Sequence, residues 1–249
     1  MIPKTIHYCW FGRGPKTPLG ERCIASWRRH FPDYEIREWN EDNFDVCAIP
    51  YTRDAYAAGK YAFVSDYARF WVLYRYGGVY FDTDVEVIRP IDDILSAGPF
   101  MGMECDGRDG GRVAVNPGLG LGAEPGMPLY GEILDGFAGM AFWGNNGAVN
   151  PWTMIPMVTC LLQEKGFAGN RGIERVAGVT VYPPAWFNPF EDATGRLRKT
   201  AETRSIHWYA KSWMREESPF RVAVKRALRR LLGKETLARL RNHLSGRKK

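Results

Sequence analysis

The chain has 249 residues, of which 45% are hydrophobic and 25% charged, and this suits a single domain with a substantial core. Its five cysteines form no close pair and are odd in number, which argues against a disulfide framework or a zinc site and favours a reducing cytoplasm. The sequence shows no basic-then-apolar leader and no apolar run of membrane-spanning length, so we do not expect export through a signal peptide.

The net charge of +6 is concentrated at the C-terminus. Residues 220–249 hold eleven Lys or Arg and one acid, a net charge of +10, so residues 1–219 carry −4. Nucleic-acid binding by the main body is therefore disfavoured. The change in composition predicts a main domain over residues 1–219 and a basic tail over residues 220–249.

The first part of the chain alternates between strand and helix patterns. Residues 2–12 read as a strand that enters a Gly/Pro loop, residues 23–31 as a helix that stops before Pro32, and residues 34–39 as a second strand. This order predicts an open, mostly parallel α/β sheet flanked by helices. Ligands of such sheets bind beyond the carboxyl ends of the strands.

A second helix-to-strand unit occupies residues 60–84. Aromatic side chains recur at the spacing of one helical face, at Tyr67, Phe70, Trp71 and Tyr74. Gly77 and Gly78 follow, and glycine is the residue that best tolerates the positive φ of a helix C-terminus. Residues 79–81 are then a short apolar run of the kind that a buried parallel strand needs.

Two acids, Asp82 and Asp84, come directly after this strand. In an extended chain, residues two apart project to the same side, roughly 6–7 Å apart. Two carboxylates so placed repel each other unless a cation or a donor-rich ligand lies between them. A hard divalent ion such as Mg²⁺ or Mn²⁺ is the natural partner, although most pairs of this kind simply end a strand in solvent.

The remaining elements continue the alternation. We predict strands over residues 100–105 and 179–182 and helices over residues 129–140 and 153–165. The glycine-rich stretch 116–126 lacks the Lys-Ser/Thr of a phosphate loop and the spacing of a dinucleotide site, so it predicts a strand and tight turns.

The last motif of the main domain lies in residues 205–213. His207 is either a hydrogen-bonded core histidine or a third ligand, since imidazole suits Mn²⁺-type ions beside carboxylates. Lys211 and Ser212 are candidates for contacts to phosphate oxygens, and Trp213 for closing the site.

Four motifs, in this order along the chain, resemble glycosyltransferase family 32. They are Ile2-Pro-Lys-Thr-Ile-His-Tyr-Cys-Trp10, Ser65-Asp66-x-x-Arg69, Tyr76-Gly-Gly-Val-Tyr-Phe-Asp-Thr-Asp84 and His207-x₃-Lys211-Ser-Trp213. This DXD-containing family of sugar transferases builds capsular and surface polysaccharides and is related to the glucosylating domains of large clostridial toxins. The resemblance spans residues 1–213.

The resemblance implies a GT-A fold, a nucleotide-sugar donor (UDP-sugar above all), Mn²⁺ or Mg²⁺, and retention of anomeric configuration. It further implies a saccharide or lipid-linked saccharide acceptor in capsule, lipopolysaccharide or other surface polysaccharide synthesis. A front-face retaining reaction needs no dedicated strong base, because the departing phosphate accepts the acceptor's proton. We therefore name no general base.

The resemblance also assigns roles to single residues. It implies donor contacts from Trp10, which stacks on uracil, and from Asp66 and Arg69, which hold ribose and sugar. The other donor residues that it implies are Tyr80, Asp82, Lys211, Ser212 and Trp213. Asp84 would bind the metal directly, Asp82 through water, and His207 would complete the ligand set. Arg69, Asp82 and Asp84 form the implied catalytic group.

Looser correspondences imply a sugar and acceptor side formed by Asn116, Asn145, Asn146 and Trp152. Judged from their spacing alone, Asp66 and Arg69 are equally a surface ion pair at i, i+3, which contributes only a few tenths of a kcal/mol, about 0.2–0.5.

Two other functions remain open from the residues. Residues 81–85 also fit the Asp-x-Asp-x-Thr/Val pattern of haloacid-dehalogenase-type phosphatases, with Asp82 as the nucleophile. The nine Trp and twelve Tyr residues would also suit a sugar-binding module without turnover.

The tail carries an amphipathic pattern. Val222, Val224, Ala227 and Leu228 begin an apolar stripe at helical spacing, and basic residues lie between them. One interpretation is a helix docked on the domain, and the other is an interfacial helix with a cationic polar face. We expect the second, a peripheral anchor that holds the enzyme to the anionic inner face of a bacterial cell membrane.

Overall fold

The computed structural model describes residues 1–108, 112–170, 172–210 and 221–230. Its helices are α1 (Pro18–His30), α2 (Pro50–Ala57), α3 (Tyr61–Tyr76), α4 (Asp92–Ala97), α5 (Pro128–Ala138), α6 (Met154–Glu164) and α7 (Pro184–Phe187). Its strands are β1 (Thr5–Cys9), β2 (Glu35–Trp39), β3 (Gly78–Tyr80), β4 (Val85–Val87), β5 (Phe100–Asp106), β6 (Val113–Val115), β7 (Leu121–Ala123), β8 (Glu174–Val176), β9 (Val179–Tyr182), β10 (Phe190–Glu191), β11 (Arg196–Leu197) and β12 (Ser205–His207).

One central sheet organises the fold. Its strand order is β2-β1-β3-β7-β5-β9-β8, with β6 beside β5. Strands β1, β2, β3, β5 and β9 run in one direction, whereas β6, β7 and β8 run against them. The predicted α/β class, an open and mostly parallel sheet flanked by helices, is confirmed, and the arrangement is consistent with the GT-A type.

Strand alternation divides the core between the two faces of the sheet. Tyr80 and Met101 pack on the face that α2, α3, α5 and α6 cover. Phe81 and Phe100 point to the other face, where they pack with Trp27 of α1. Because both faces are buried, the central strands read as continuous apolar runs in the sequence.

Helix α1 begins at Pro18, five residues before the predicted start. The side chain of Thr17 accepts a hydrogen bond from the backbone N–H of Gly20, and proline occupies the first helical turn. Both features favour a helix N-terminus, and the Gly/Pro appearance of this stretch concealed them.

Helix α3 ends as the sequence predicts. Gly77 caps it with φ of 64°, and a Cβ at this position would lie 2.7 Å from Pro125, so a side chain is excluded by both conformation and space. The predicted aromatic face is wrong at Tyr74, which is 38% exposed. The helix instead buries Val72 and Leu73 at that level, because it packs against more than one neighbour.

Residues 221–230 of the tail are helical. Arg226 bonds to Asp192, and Arg230 donates to the backbone carbonyls of Thr194 and Gly195 in the β10–β11 hairpin. Among the described residues, the helices are all too short or too polar to cross a bilayer.

Candidate active site

The candidate site lies at the carboxyl edge of the sheet. Trp10 follows β1, and Asp82 follows β3, its parallel neighbour. The chain then turns at once into β4, and the turn is closed by a hydrogen bond from the Val85 N–H to the Asp82 carbonyl. Asp82 and Asp84 therefore occupy the short connection between β3 and β4.

His207 reaches these acids through strand pairing. Strand β12 runs antiparallel to β4, with His207 opposite Val85. The Nε2 of His207 lies 3.1 Å from Oδ1 of Asp84, while the other Asp84 oxygen accepts a 2.7 Å hydrogen bond from the Ala210 N–H. The Nδ1 of His207 is buried and has no hydrogen-bond partner in the part of the chain that the structure describes.

The charges of the Asp84–His207 pair support each other. Burial acts to raise the pKa of Asp84, but His207 and the bond from Ala210 outweigh it and hold that pKa below its ordinary value. Burial acts to lower the pKa of His207, but Asp84 and Asp82 raise it above its usual range. The carboxylates of Asp84 and Asp82 thus favour a positive charge on the imidazole, and the same carboxylates would attract a metal cation.

The three side chains fit a divalent ion. Asp82, Asp84 and His207 each offer a ligand atom, and these atoms lie within 4.8 Å of one another. Two carboxylates and one imidazole suit Mn²⁺ and, with water as further ligand, Mg²⁺. The prediction from Asp82 and Asp84 of a metal-binding group, with His207 beside it, agrees with this geometry.

A buried arginine supports the first acid of the pair. Nη2 of Arg69 lies 2.9 Å from Oδ1 of Asp82 and 3.1 Å from Oδ1 of Asp66, and only 3% of its side chain is exposed. The alternative of a surface ion pair between Asp66 and Arg69 is therefore wrong, because the guanidinium is buried between two carboxylates. Breaking such a pair costs about 3–5 kcal/mol, far more than a surface pair contributes.

The acids around Arg69 hold protons more tightly than free carboxylates. Burial raises the pKa of Asp66 to about 6, against the attraction of Arg69. Burial also raises the pKa of Asp82, with Asp84 adding to the shift and Arg69 opposing it. The hydroxyl of Tyr80 donates to Oδ1 of Asp82 at 3.0 Å, and since the ring is 1% exposed, it holds this acid from within the core.

Trp10 lines a cleft of about 270 Å³ next to this edge, together with Arg13, Lys16, Glu38 and Asn40 among others. The indole is half-buried, and its Nε1 donates to the carbonyl of Gly14. This bond holds the edge of the indole in place, and part of the ring stays accessible to a ligand in the cleft.

The residues predicted for the acceptor side are divided. Asn116 is buried and bonds within the protein, whereas Asn145, Asn146 and Trp152 lie exposed in the connection between α5 and α6. Trp152 is 47% exposed and lies two residues before Met154, whose sulfur contacts Nη1 of Arg69 at 3.4 Å. This connection therefore approaches the acids through Arg69.

Lys211, Ser212 and Trp213, predicted to contact the phosphates and close the site, lie outside the described residues.

Met154, Gly118 and Tyr209 belong to the site, yet the sequence interpretation missed them. Gly118 leaves no room for a side chain, since a Cβ there would lie 2.1 Å from Oδ2 of Asp82. The glycine after Asn116-Pro117 was the available sequence signal for a close approach, but Asp82, the residue it packs against, is distant in sequence.

Comparison with known proteins points to the same stretch. Residues 19–101 match the family described as "glycosyltransferase sugar-binding region containing DXD motif". The matched segment contains the acids Asp66, Asp82 and Asp84 and the buried Arg69. This stretch is similar to sugar transferases.

Two curated relatives come from Schizosaccharomyces pombe. Inositol phosphoceramide mannosyltransferase 3 is 30% identical over 101 residues, which are 38% of this chain and 27% of the relative. Inositol phosphoceramide mannosyltransferase 1 is 29% identical over 114 residues, or 40% of this chain and 33% of the relative. The chain thus spans about a third or less of the length of these relatives.

Solved structures of glycosyltransferases are more distant. The PaToxG glycosyltransferase gives a TM-score of 0.44 at 19% identity over 54% of this chain and 59% of its own. A glycosyltransferase involved in the glycosylation of the major capsid of PBCV-1 gives a TM-score of 0.47 at 12% identity over 82% of this chain and 93% of its own.

Proposed function

We propose that this protein is a metal-dependent, retaining glycosyltransferase that moves a hexose from a nucleotide sugar, with UDP-sugar favoured, to a saccharide or lipid-linked saccharide acceptor. The observation that carries the proposal is the grouping of Asp82, Asp84 and His207, two of them within the matched DXD segment. Surface polysaccharide synthesis, of the capsule or lipopolysaccharide type, is the pathway class we infer from the family resemblance.

The residues present would hold Mn²⁺ or Mg²⁺, with Asp84 and His207 as direct ligands and Asp82 direct or through water. Such an ion, when bound, stabilises the negative charge that develops on a nucleoside diphosphate leaving group. The chain supplies the rest of the electrostatic environment. Arg69 keeps Asp82 oriented from the buried side, and a preoriented charge needs no reorganisation during the reaction.

Donor and acceptor would enter from different sides. The cleft beside Trp10 suits a nucleobase, which stacks on the accessible indole. The exposed connection that carries Asn145, Asn146 and Trp152 suits a saccharide, since amides bond to hydroxyl groups and an indole packs on a sugar ring. The bond to the sugar would then break at the ion-binding acids Asp82 and Asp84.

Neither alternative function gains support from the site. As a phosphatase nucleophile, Asp82 would need a reactive carboxylate, yet the hydrogen bonds that its Oδ1 accepts from Arg69 and Tyr80 stabilise the ionised form and reduce its nucleophilicity. A sugar-binding module would bind the same ligands without converting them. Only a measurement of turnover therefore distinguishes such a module from a transferase.

The test is release of nucleoside diphosphate from a panel of UDP-glucose, UDP-galactose, UDP-N-acetylglucosamine and GDP-mannose, with Mn²⁺, Mg²⁺ or chelator. We expect release from at least one donor, dependent on the ion and absent in Asp84→Ala. Binding without release from any donor would favour the sugar-binding module. Release of inorganic phosphate from simple phosphate esters, with none from nucleotide sugars, would favour the phosphatase.

The tail supports a further part of the proposal, its location. Arg226 and Arg230 dock the helical segment 221–230 on the hairpin, while Val224 and Leu228 are 41% and 42% exposed. Apolar groups that face away from the domain, beside further basic side chains, suit the surface of an anionic bilayer. We infer a cytoplasmic enzyme held peripherally on the inner face of the cell membrane.

A further inference from the structure

Glu104 lies at the same edge of the sheet as the acids. Strand β7 connects β3 to β5 in register, with Tyr80 and Met101 both opposite Leu121. Strands β3 and β5 run in the same direction, and Tyr80 and Met101 lie at the same level in them. Asp82 comes two residues after Tyr80, and Glu104 comes three residues after Met101. Glu104 is half-buried there.

A chain of hydrogen bonds connects Glu104 to Asp82. Oε2 of Glu104 accepts from Nδ2 of Asn116 at 3.0 Å, and Oδ1 of Asn116 accepts from the Gly118 N–H at 2.8 Å. The Gly118 carbonyl in turn accepts from the Asp82 N–H. The position of one Glu104 oxygen is thus fixed relative to the metal-binding acids.

A second chain of contacts leads from Glu104 to His207. Nδ2 of Asn188 donates to the Glu104 carbonyl at 3.1 Å, and the Tyr209 hydroxyl donates to Oδ1 of Asn188 at 3.1 Å. The Tyr209 ring then packs edge-on against His207, with centroids 4.2 Å apart. Tyr209 adopts a positive φ of 51°, an unfavourable conformation for a side chain of this size, which the surrounding contacts maintain.

The second oxygen of Glu104 is available. Within the described residues, Oε1 has no hydrogen-bond partner, although an ionised carboxylate accepts on both oxygens. Asn116 differs from Glu104 in this respect, because its amide nitrogen and its amide oxygen both form hydrogen bonds inside the protein. Glu104, rather than the sequence-predicted Asn116, is thus the acceptor that this part of the site offers to a ligand.

We propose that Oε1 of Glu104 accepts a hydrogen bond from a hydroxyl group of a pyranose ring bound beside the Asp82–Asp84–His207 group. The proposal rests on the proposed transferase function. A carboxylate repels the phosphates of a nucleotide, whereas it binds an uncharged polyhydroxyl ring strongly, because hydrogen bonds to ionised acceptors are the stronger kind. The position of Glu104 would thereby direct the sugar to one side of the ion-binding acids and the diphosphate to the other.

The ring belongs either to the donor or to the acceptor, and Glu104→Gln separates the two. Glutamine retains an oxygen for Asn116 but replaces the free acceptor by a donor. Asp106→Asn is the matched control, since it removes one negative charge two residues further along β5, where Asp106 pairs with Arg108. Glu104→Asp is a second test variant, because it keeps the charge but withdraws the carboxylate oxygen. Melting temperatures of all three variants would confirm folding.

We would measure binding of UDP, and of each nucleotide sugar in the panel, by calorimetry with Mn²⁺, and transfer to p-nitrophenyl glycosides as acceptors. If the donor sugar is bound, Glu104→Gln weakens nucleotide-sugar binding on the order of tenfold to a hundredfold and leaves UDP binding unchanged. If the acceptor is bound, donor binding and donor hydrolysis stay unchanged and the KM for acceptor rises by a similar factor. Asp106→Asn should match wild type throughout.

Two results would overturn the assignment of Glu104 alone. One is an active wild type whose Glu104→Gln variant is unchanged in donor binding, hydrolysis and transfer. The other is an equal loss of UDP and nucleotide-sugar binding, which would mean that Glu104 acts only through the metal-binding acids. A wild type that binds no nucleotide sugar and releases nothing from any would overturn the transferase function, and this proposal with it.

Discussion

Nη2 of Arg69, in the middle of α3, lies 2.9 Å from Oδ1 of Asp82, the first acid after β3. The bond joins the helix to the strand end across the buried side of the site. Asp66, one helical turn before Arg69, contacts the same nitrogen at 3.1 Å. Arg69 is therefore both a structural cation and the residue that orients Asp82, the first acid of the DXD pair.

Replacing Arg69 by Met should lower the free energy of unfolding by about 3–5 kcal/mol, because two partly buried carboxylates lose their cation. Urea denaturation at pH 7 measures this loss. The double variant Arg69→Met/Asp66→Asn should regain part of it, since one of the two orphaned charges is removed. Wild-type stability in the single variant would contradict the buried-pair interpretation.

Asp84→Ala should abolish ion-dependent donor turnover, because the change removes a charge and a ligand atom together. His207→Ala should raise the Mn²⁺ concentration for half-maximal turnover by about tenfold or more, a size typical of changes around metal ligands. Titration with Mn²⁺ alone, followed by calorimetry, provides a readout independent of activity. Full activity of Asp84→Asn in metal-stripped buffer would contradict the metal site. An unchanged Mn²⁺ requirement in His207→Ala would show that His207 is a hydrogen-bonded core histidine and not a metal ligand.

Trp10→Ala should weaken uridine-nucleotide binding by about 1–3 kcal/mol if the indole stacks on the base. The ring is half-buried, so some loss of stability is also expected. A loss of about 3–5 kcal/mol in unfolding free energy, without a change in nucleotide affinity, would identify Trp10 as a core residue instead. Calorimetric UDP titration and thermal melting of the same preparations separate the two results.

His7 should make stability depend on pH. Burial lowers its pKa from 6.5 to about 4, although a bond to the Gly77 carbonyl opposes the shift, and Nδ1 accepts from Trp39, so the folded ring is neutral. Below pH 6.5 the unfolded chain binds a proton that the folded chain does not, so stability falls as the pH decreases toward 4. Between pH 7 and 5 the loss from this residue should be about 2 kcal/mol.

The control for this effect is His7→Gln, which keeps an acceptor and a donor but does not titrate. Asp66 shifts stability in the opposite direction between pH 6 and 4, since its folded pKa is raised to about 6. Because Asp66 is present in both proteins, the difference between their urea unfolding free energies isolates His7. Equal pH dependence of wild type and variant would show that His7 is not buried in the neutral form.

Truncation after Pro219 should abolish sedimentation with anionic liposomes at low salt while leaving donor turnover unchanged. Each basic side chain near an anionic surface contributes about 1 kcal/mol, and high salt should weaken binding of the full chain. The variant Val224→Asp/Leu228→Asp retains every basic residue but removes the exposed apolar groups, so we expect reduced binding from it. Equal sedimentation of full-length and truncated protein would rule out the anchor.

Local sequence pattern determined the central helix-to-strand unit. The 3.6-residue recurrence of apolar groups, the glycine at the helix end and the apolar run before Asp82 are all properties of neighbours in the chain, and α3, Gly77 and β3 follow them closely. The same holds for β9, whose observed bounds, Val179–Tyr182, match those predicted. For these elements, spacing along the chain is sufficient because the interactions that form them are local.

The tertiary structure decided what the local pattern left open. His207 lies 123 residues after Asp84, and only the register of β12 against β4 brings the two within 3.1 Å. How α3 packs decides whether Arg69 is buried, and this burial distinguishes a buried ion pair from a surface ion pair with the same spacing. The alignment of Glu104 with Asp82 depends on β7, a strand that runs between theirs in the opposite direction. Contacts between distant segments are fixed by strand register and helix packing, which no short stretch of sequence contains.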